Sequence, residues 1–270
     1  VVFTPLLLLL LRRRIVFQAA MKFSLVLALC VAAFAGPWLI RNHAHFGQWN
    51  LASRGGEALY TRAMMNDMSR REYAVALMLY SHYPLNGIFR RALGLSRDDV
   101  QNDIAVQRVS DGMNPLVEPN DLQAEMAGRP EDTITFYRRG RAEHVKLAYQ
   151  MGAAGVAHPE YASDSVLIKR GLAMIAENPL NHLAYTLLWL WGDVFFTFPP
   201  LMCALALALW RRDAELLIYV LPSFGLVMFY ALVSFYVPRY GLPAYPPAVA
   251  AGAILACAWL LSRANRSCAG

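Results

Sequence analysis

Five apolar stretches, most of them bounded by arginines, constrain this chain more than any other feature. They cover residues 1–11, 15–40, 194–210, 216–237 and 242–261. A helix that crosses a hydrocarbon layer satisfies its own backbone and needs roughly 20 apolar residues to do so. The pattern therefore predicts an all-α fold of multi-pass membrane helices. The first stretch is about half the required length. Because it stands at position 1, where no initiator Met is present, it predicts an N-terminally truncated chain. Arginine clusters close three stretches: Arg12-Arg13-Arg14, Arg211-Arg212, and Arg263 with Arg266. Alternating crossings put all three on one side, which the positive-inside rule makes the cytoplasm. Residues 41–180 then face the periplasm, together with the short loop VPRYGLPAYPP.

Charge placement agrees. Residues 41–181 hold 16 Lys/Arg and 16 Asp/Glu, so the net +6 comes entirely from the remainder, where 9 basic residues face 3 acidic ones. An excess confined to the flanks of apolar runs is a membrane pattern, not a nucleic-acid face. Cys30, Cys203 and Cys257 lie in apolar runs and Cys268 at the C-terminal tip, so no disulfide framework is read.

The expected organisation is transmembrane helices over 1–40, a periplasmic helical insert over 41–181, and an interfacial amphipathic helix over 182–193. Three further transmembrane helices over 194–262 and a cytoplasmic tail over 263–270 complete it. Within the insert, Ile168, Gly171, Leu172, Ile175 and Ala176 form a helical stripe, with Ser163 or Asp164 as its cap. Asn178-Pro179 ends that helix, and Pro179 suits the first position of the next. Residues 71–80 and 131–151 read as helices, and 111–120 as a loop. One long kinked span over 187–210 is the alternative to the interfacial helix. The segment from Met21, MKFSLVLALCVAAFAG, also has the basic start, apolar core and Ala33-Phe34-Ala35 site of a signal peptide. The apolar run and arginine cluster before it count against that reading.

Two motifs end spans on the same face. PWLIRN (residues 37–42) carries Trp38 and Arg41; FYVPRYGLPAYPP (residues 235–247) carries Arg239 and Tyr240. Their bland reading is an aromatic belt with headgroup anchors. The functional reading of the second is a fixed guanidinium, Arg239, for a phosphate or pyrophosphate ligand. Together with Phe46-Gly47, Gly55-Gly56, Leu59-Tyr60 and Asn178-Pro179, they resemble, in order, the C-terminal half of bacterial GT-C membrane glycosyltransferases. The resemblance is to the family 39-like type, which includes dolichyl-phosphate-mannose-protein mannosyltransferases and lipid A aminoarabinose transferases. His43 stands where that family has an aromatic, Asn178 where it has a His, and Gly241 where it has a second arginine.

The resemblance implies transfer of a sugar from a polyprenyl-phosphate donor to a lipid, glycan or protein acceptor at the periplasmic face of the inner membrane. It implies donor-phosphate contacts from Arg239, Arg41, Tyr240 and Tyr60, and acceptor or loop contacts from Glu57 and Asn42. It places the catalytic carboxylate in an outer loop upstream of Val1, so the catalytic residue is unknown. No organic cofactor is expected, and the use of a divalent metal is left open. His43-x-His45, even with His82, lacks the carboxylates that would suggest a metal site, and Asp193 reads as an interfacial turn or cap. Two other classes compete: a non-catalytic membrane scaffold that lacks the catalytic loop, and a transporter. Spans with almost no mid-span charge and only Pro222 as a breaker disfavour the transporter.

Overall fold

The structure, a computed structural model, describes residues 17–47, 49, 54–81, 84–96, 99–110, 118–192 and 198–234. It is all-helical, with no strand among the described residues. The chain divides into two compact units, Val1–Ser53 and Arg54–Gly270.

The first unit is built on one helix, α1 (Phe17–Phe46), which carries Pro37 in its interior. Gly47 takes a left-handed φ of +69° and its N–H returns to the His43 carbonyl at 2.8 Å, closing the helix. Leu25, Val26, Leu29, Val31, Trp38 and Ile40 of α1 are exposed.

In the second unit, α2 (Gly55–Met64) is the central element. A 3-10 turn (Met65–Asp67) leads to α3 (Arg70–Leu79), which opens on a capping box. There Ser69 Oγ accepts from Glu72 N at 3.2 Å and Glu72 Oε2 accepts from Ser69 N at 2.7 Å. Short helices α4 (Leu85–Ala92), α5 (Asp99–Asn102) and α6 (Ile104–Val109) follow. Asp103 caps α6 through the N–H groups of Ala105 and Val106. Next come α7 (Glu118–Met126), a 3-10 turn (Pro130–Asp132) and α8 (Phe136–Ala153). The buried Asp121 carboxylate of α7 accepts from Ile134 N, Thr135 N and Thr135 Oγ1, and Thr135 in turn caps α8. The described chain ends with α9 (Pro159–Glu177), α10 (Pro179–Gly192), α11 (Phe198–Arg211) and α12 (Ala214–Val233).

Glycines set how closely the helices pack on α2. A Cβ on Gly56 would collide with the Asp164 carbonyl of α9, and one on Gly140 of α8 with the Thr61 hydroxyl. A Cβ on Gly171 of α9 would lie 3.2 Å from the Tyr60 backbone. Backbone-to-backbone approach is thus built in on two sides of one ten-residue helix. On its remaining side α2 meets α12, which also packs along α11 and α10. Leu201, Ala204 and Ala208 of α11 are buried at helical spacing, as are Leu217, Val220, Val227 and Ala231 of α12. The turn between these two helices places Arg212 at φ 54° and lets Asp213 Oδ1 accept from Leu216 N at 3.1 Å.

The expectation of multi-pass membrane helices is overturned. Among the described residues, no helix is long and apolar enough to cross a membrane. Helices α10 and α11 have 14 residues each. At about 1.5 Å per residue that is about 21 Å, short of a hydrocarbon core of about 30 Å. α12 is continuous and carries Pro222 and the buried Ser223 in its interior, and polar side chains of its neighbours hold its last turn. The first and fifth apolar stretches lie outside the described residues. So does most of the expected loop over 111–120, although its last three positions already belong to α7.

Two alanine substitutions separate close packing from helix propensity. Gly56→Ala is expected to destabilise the fold by roughly 1–3 kcal/mol through overpacking. Gly225→Ala in α12, where a Cβ meets open space, is expected to stabilise it by about 0.5–1 kcal/mol. Urea unfolding midpoints moving in opposite directions would bear this out.

Candidate functional site

Three polar constellations interrupt the apolar packing. The first lies at the start of α2. Asp164 Oδ1 accepts from Gly56 N at 2.8 Å and Glu57 N at 3.0 Å, so a side chain in the middle of α9 caps α2. The sequence places Asp164 or Ser163 at the cap of its own helix. Instead α9 begins at Pro159, after His158 in a left-handed conformation, and Asp164 serves another helix. Gly56 lets the two backbones approach closely enough for this bond. Burial pushes the Asp164 carboxyl up, and the two N–H groups oppose that rise.

Glu57 lies beside this cap. It is buried, with Arg141 Nε at 3.6 Å and Arg54 Nε at 4.0 Å. Burial drives its carboxyl pKa upward, against the pull of Arg141 and then Arg54, while Glu125 and Asp164 add to the rise. Arg141 also pairs with Glu125 at 3.1 Å, and Arg138 binds Glu125 at 2.6 Å. His144 Nδ1 stands 3.2 Å from the Ser163 hydroxyl, and burial lowers that imidazole. Glu57, expected as an acceptor contact, is thus enclosed by protein. Tyr60, expected at the donor phosphate, is half-buried and linked to Arg170, which pairs with Glu143 at 2.5 Å.

The second constellation centres on Arg62, which sequence reasoning does not single out. Its side chain is 0% exposed, and burial alone pushes its pKa down to about 9. No carboxylate holds it. Nε donates to the Ala231 carbonyl at 3.2 Å and Nη1 to Asn66 Oδ1 at 3.1 Å. Nη2 donates to the His182 carbonyl at 2.9 Å and to Thr186 Oγ1 at 3.0 Å. His182 Nε2 lies 2.8 Å from the Leu232 carbonyl, next along α12. Arg62 and His182 together bind two carbonyls of the last turn of α12. An arginine flanked by Thr61, Ala63 and Met64 is the one signal in the sequence that could have revealed this.

The third belongs to α1. The exposed Arg41 guanidinium lies 5.0 Å from the Trp38 ring centroid and donates to Asn42 Oδ1 at 3.3 Å. Asn42 is buried and braces it. His43 stacks on Trp49 with centroids 4.2 Å apart. Of the residues expected to form one site, Arg41 and Asn42 share this helix end, while Glu57 and Tyr60 stand on α2 in the other unit. Arg239, Tyr240, Asp193 and His82 lie outside the described residues. Among the described residues no group of three or more His, Cys, Asp or Glu could hold a metal ion. No family model, no curated protein and no solved structure matches the chain.

Two measurements test these assignments. Asp164→Asn keeps an oxygen for the two N–H groups, so it is expected to hold stability within about 1 kcal/mol. Asp164→Ala orphans both donors and is expected to cost roughly 1–3 kcal/mol. The second concerns pH. Folding depresses both His144 and His182 below 6.5, so the unfolded chain takes up protons first and stability falls as pH drops below that value. Glu57 and Asp164, raised from 4.5 and 3.8, act in the opposite sense, because their ionisation costs stability as pH rises. The stability of a His144→Gln/His182→Gln variant relative to wild type is therefore expected to improve steadily from pH 7.5 to 5.5.

Proposed function

We propose that this chain is the donor-phosphate side of a glycosyltransferase that uses a polyprenyl-phosphate-linked sugar. Its acceptor is a lipid, glycan or protein at the periplasmic surface of the bacterial inner membrane. The observation that carries this reading is the form of α1. Exposed Leu25, Val26, Leu29, Val31, Trp38 and Ile40 lead to an exposed guanidinium, Arg41. A polyprenyl phosphate has the matching form: a long apolar chain ending in a phosphate. A guanidinium fixed by an aromatic face below and an amide oxygen beside it keeps further N–H donors for phosphate oxygens. The motif order from Pro37 to Pro246 supports the same assignment.

In such a transfer the acceptor hydroxyl attacks the anomeric carbon and the lipid phosphate leaves. A cation at the phosphate stabilises the charge that develops on the leaving oxygen. Arg41 is suited to that role, which the resemblance also assigns to Arg239 and Tyr240 of the second motif. The enclosure of Glu57 by Arg54 and Arg141 favours a second reading, in which the chain binds the lipid phosphate without catalysing transfer.

The test is binding of a polyprenyl phosphate in detergent micelles, with the matching polyprenol as control. Preference for the phosphate is expected. Arg41→Ala should weaken binding about 10- to 100-fold, the worth of a hydrogen bond to a charged group, and Arg41→Lys less. Equal binding of phosphate and alcohol would sink the proposal. Phosphate-dependent binding without sugar transfer, in a chain extended to include an upstream carboxylate loop, would select the non-catalytic reading.

A further inference from the structure

Asn66, the residue one helical turn beyond Arg62, meets two buried nitrogens with one oxygen. Its Oδ1 accepts from Arg62 Nη1 at 3.1 Å and also lies 3.1 Å from His182 Nδ1. On the other side of the ring, His182 Nε2 is 2.8 Å from the Leu232 carbonyl, which can only accept. Both ring nitrogens therefore face oxygen acceptors. A neutral imidazole carries one N–H and can serve only one of them, whereas the imidazolium serves both. With the oxygen of Asn66 turned this way its amide nitrogen is buried and has no hydrogen-bond partner.

Turning the Asn66 amide over exchanges these defects. The amide nitrogen then donates to His182 Nδ1, the neutral ring donates through Nε2 to the Leu232 carbonyl, and Arg62 Nη1 loses its acceptor. The first arrangement leaves a neutral amide nitrogen without an acceptor, whereas the second sets that nitrogen against a guanidinium donor, so its cost is offset only by a neutral His182, which takes a donor at Nδ1 while Nε2 serves the Leu232 carbonyl. Oxygen and nitrogen of an amide differ in role but hardly in shape, so the turn needs no repacking.

We infer that Asn66 and His182 form a proton-coupled two-position switch, in which protonation of His182 turns the Asn66 amide toward Arg62 and tightens the hold of Arg62, and loss of the proton turns it away. The charged and titratable groups around the ring are few. Arg62 of α2 opposes the imidazolium directly, as does burial. Asp67 of the 3-10 turn and Glu72 of α3 act on Tyr185, on the next turn of α10. Glu177 ends α9, one residue before Asn178, whose carbonyl receives the His182 N–H. From α12 the ring receives a backbone carbonyl, at Leu232. The elements joined by the switch are α2, the 3-10 turn, α10 and the last turn of α12, so its position sets how firmly that end of α12 is held. This inference does not rest on the glycosyltransferase reading.

The experiment is nitrogen-15 NMR of the full chain, following the His182 ring nitrogens and the Arg62 guanidinium protons from pH 5 to 8.5. The expected result is one shared midpoint. As His182 gains its proton both ring nitrogens move to the protonated shift range, and exchange of the Arg62 Nη protons slows by at least about threefold, as expected when a buried donor regains its acceptor. In Asn66→Ala, His182 is expected to titrate still, with Arg62 no longer following it. Arg62 exchange that stays flat through the His182 titration, or a His182 that keeps one protonation state across the whole range, overturns the switch. If Asn66→Ala does not fold, the wild-type titration alone decides, because coupling and its absence are both read there.

Discussion

A guanidinium with no carboxylate holds the larger unit together. Arg62 is fully enclosed, and burying an ion costs several kcal/mol unless its donors are met. Here four of its five donors are met, by a side-chain amide, a hydroxyl and two backbone carbonyls contributed by the 3-10 turn, α10 and α12. The choice of acceptors has a logic. The last carbonyls of any helix lack intrahelical partners, and α12 ends where Arg62 and His182 can reach them. The cation thus gains backbone acceptors, and the last turn of α12 is bound by its neighbours. Lysine could not replace it, since three helices are joined by the planar spread of the guanidinium.

The other end of α2 follows the same economy with opposite charge. The helix N-terminus presents unpaired N–H groups, and Asp164 supplies an acceptor from the middle of α9. Negative charge at the start of α2 and dipole-held positive charge near its end both suit the helix dipole. Gly56, Gly140 and Gly171 make this possible, because each lets a neighbouring helix come within backbone reach. Charge and close packing are therefore one design, and α2 is its axis.

Much of the helix pattern was legible in the sequence. The helix expected over 71–80 is α3, which Ser69 and Glu72 cap, and Pro179 does open a helix after Asn178. These signals are local: a cap, a proline, a periodic stripe. The signals that failed are those that depend on distant partners. Asp164 looks like a cap for the stripe that follows it, and only the approach of α2 assigns it elsewhere. Arg62 sits in an ordinary helical stretch, and its burial depends on residues 120 and 169 positions away. The membrane expectation failed differently. Apolar run length is a count along the chain, whereas α10, α11 and α12 are helices of limited length that bury one apolar stripe among themselves and leave others, such as Leu187, Trp210 and Phe229, exposed. Arg41 and Asn42 were found together because their motif is contiguous, and Glu57 and Tyr60 were joined to them by analogy alone.

The cap on α2 also has a consequence for the order of events during synthesis. Gly56 and Asp164 are 108 positions apart, so α2 emerges from the ribosome long before the carboxylate that completes it. At roughly 5–20 residues per second, that interval is about 5–20 s. Its last partners, His182 and Ala231, arrive later still. A ten-residue helix is marginal by itself. Through that interval the nascent chain carries an unfinished axis, with the arginine destined for its interior still solvated, so consolidation of this unit comes late and all at once.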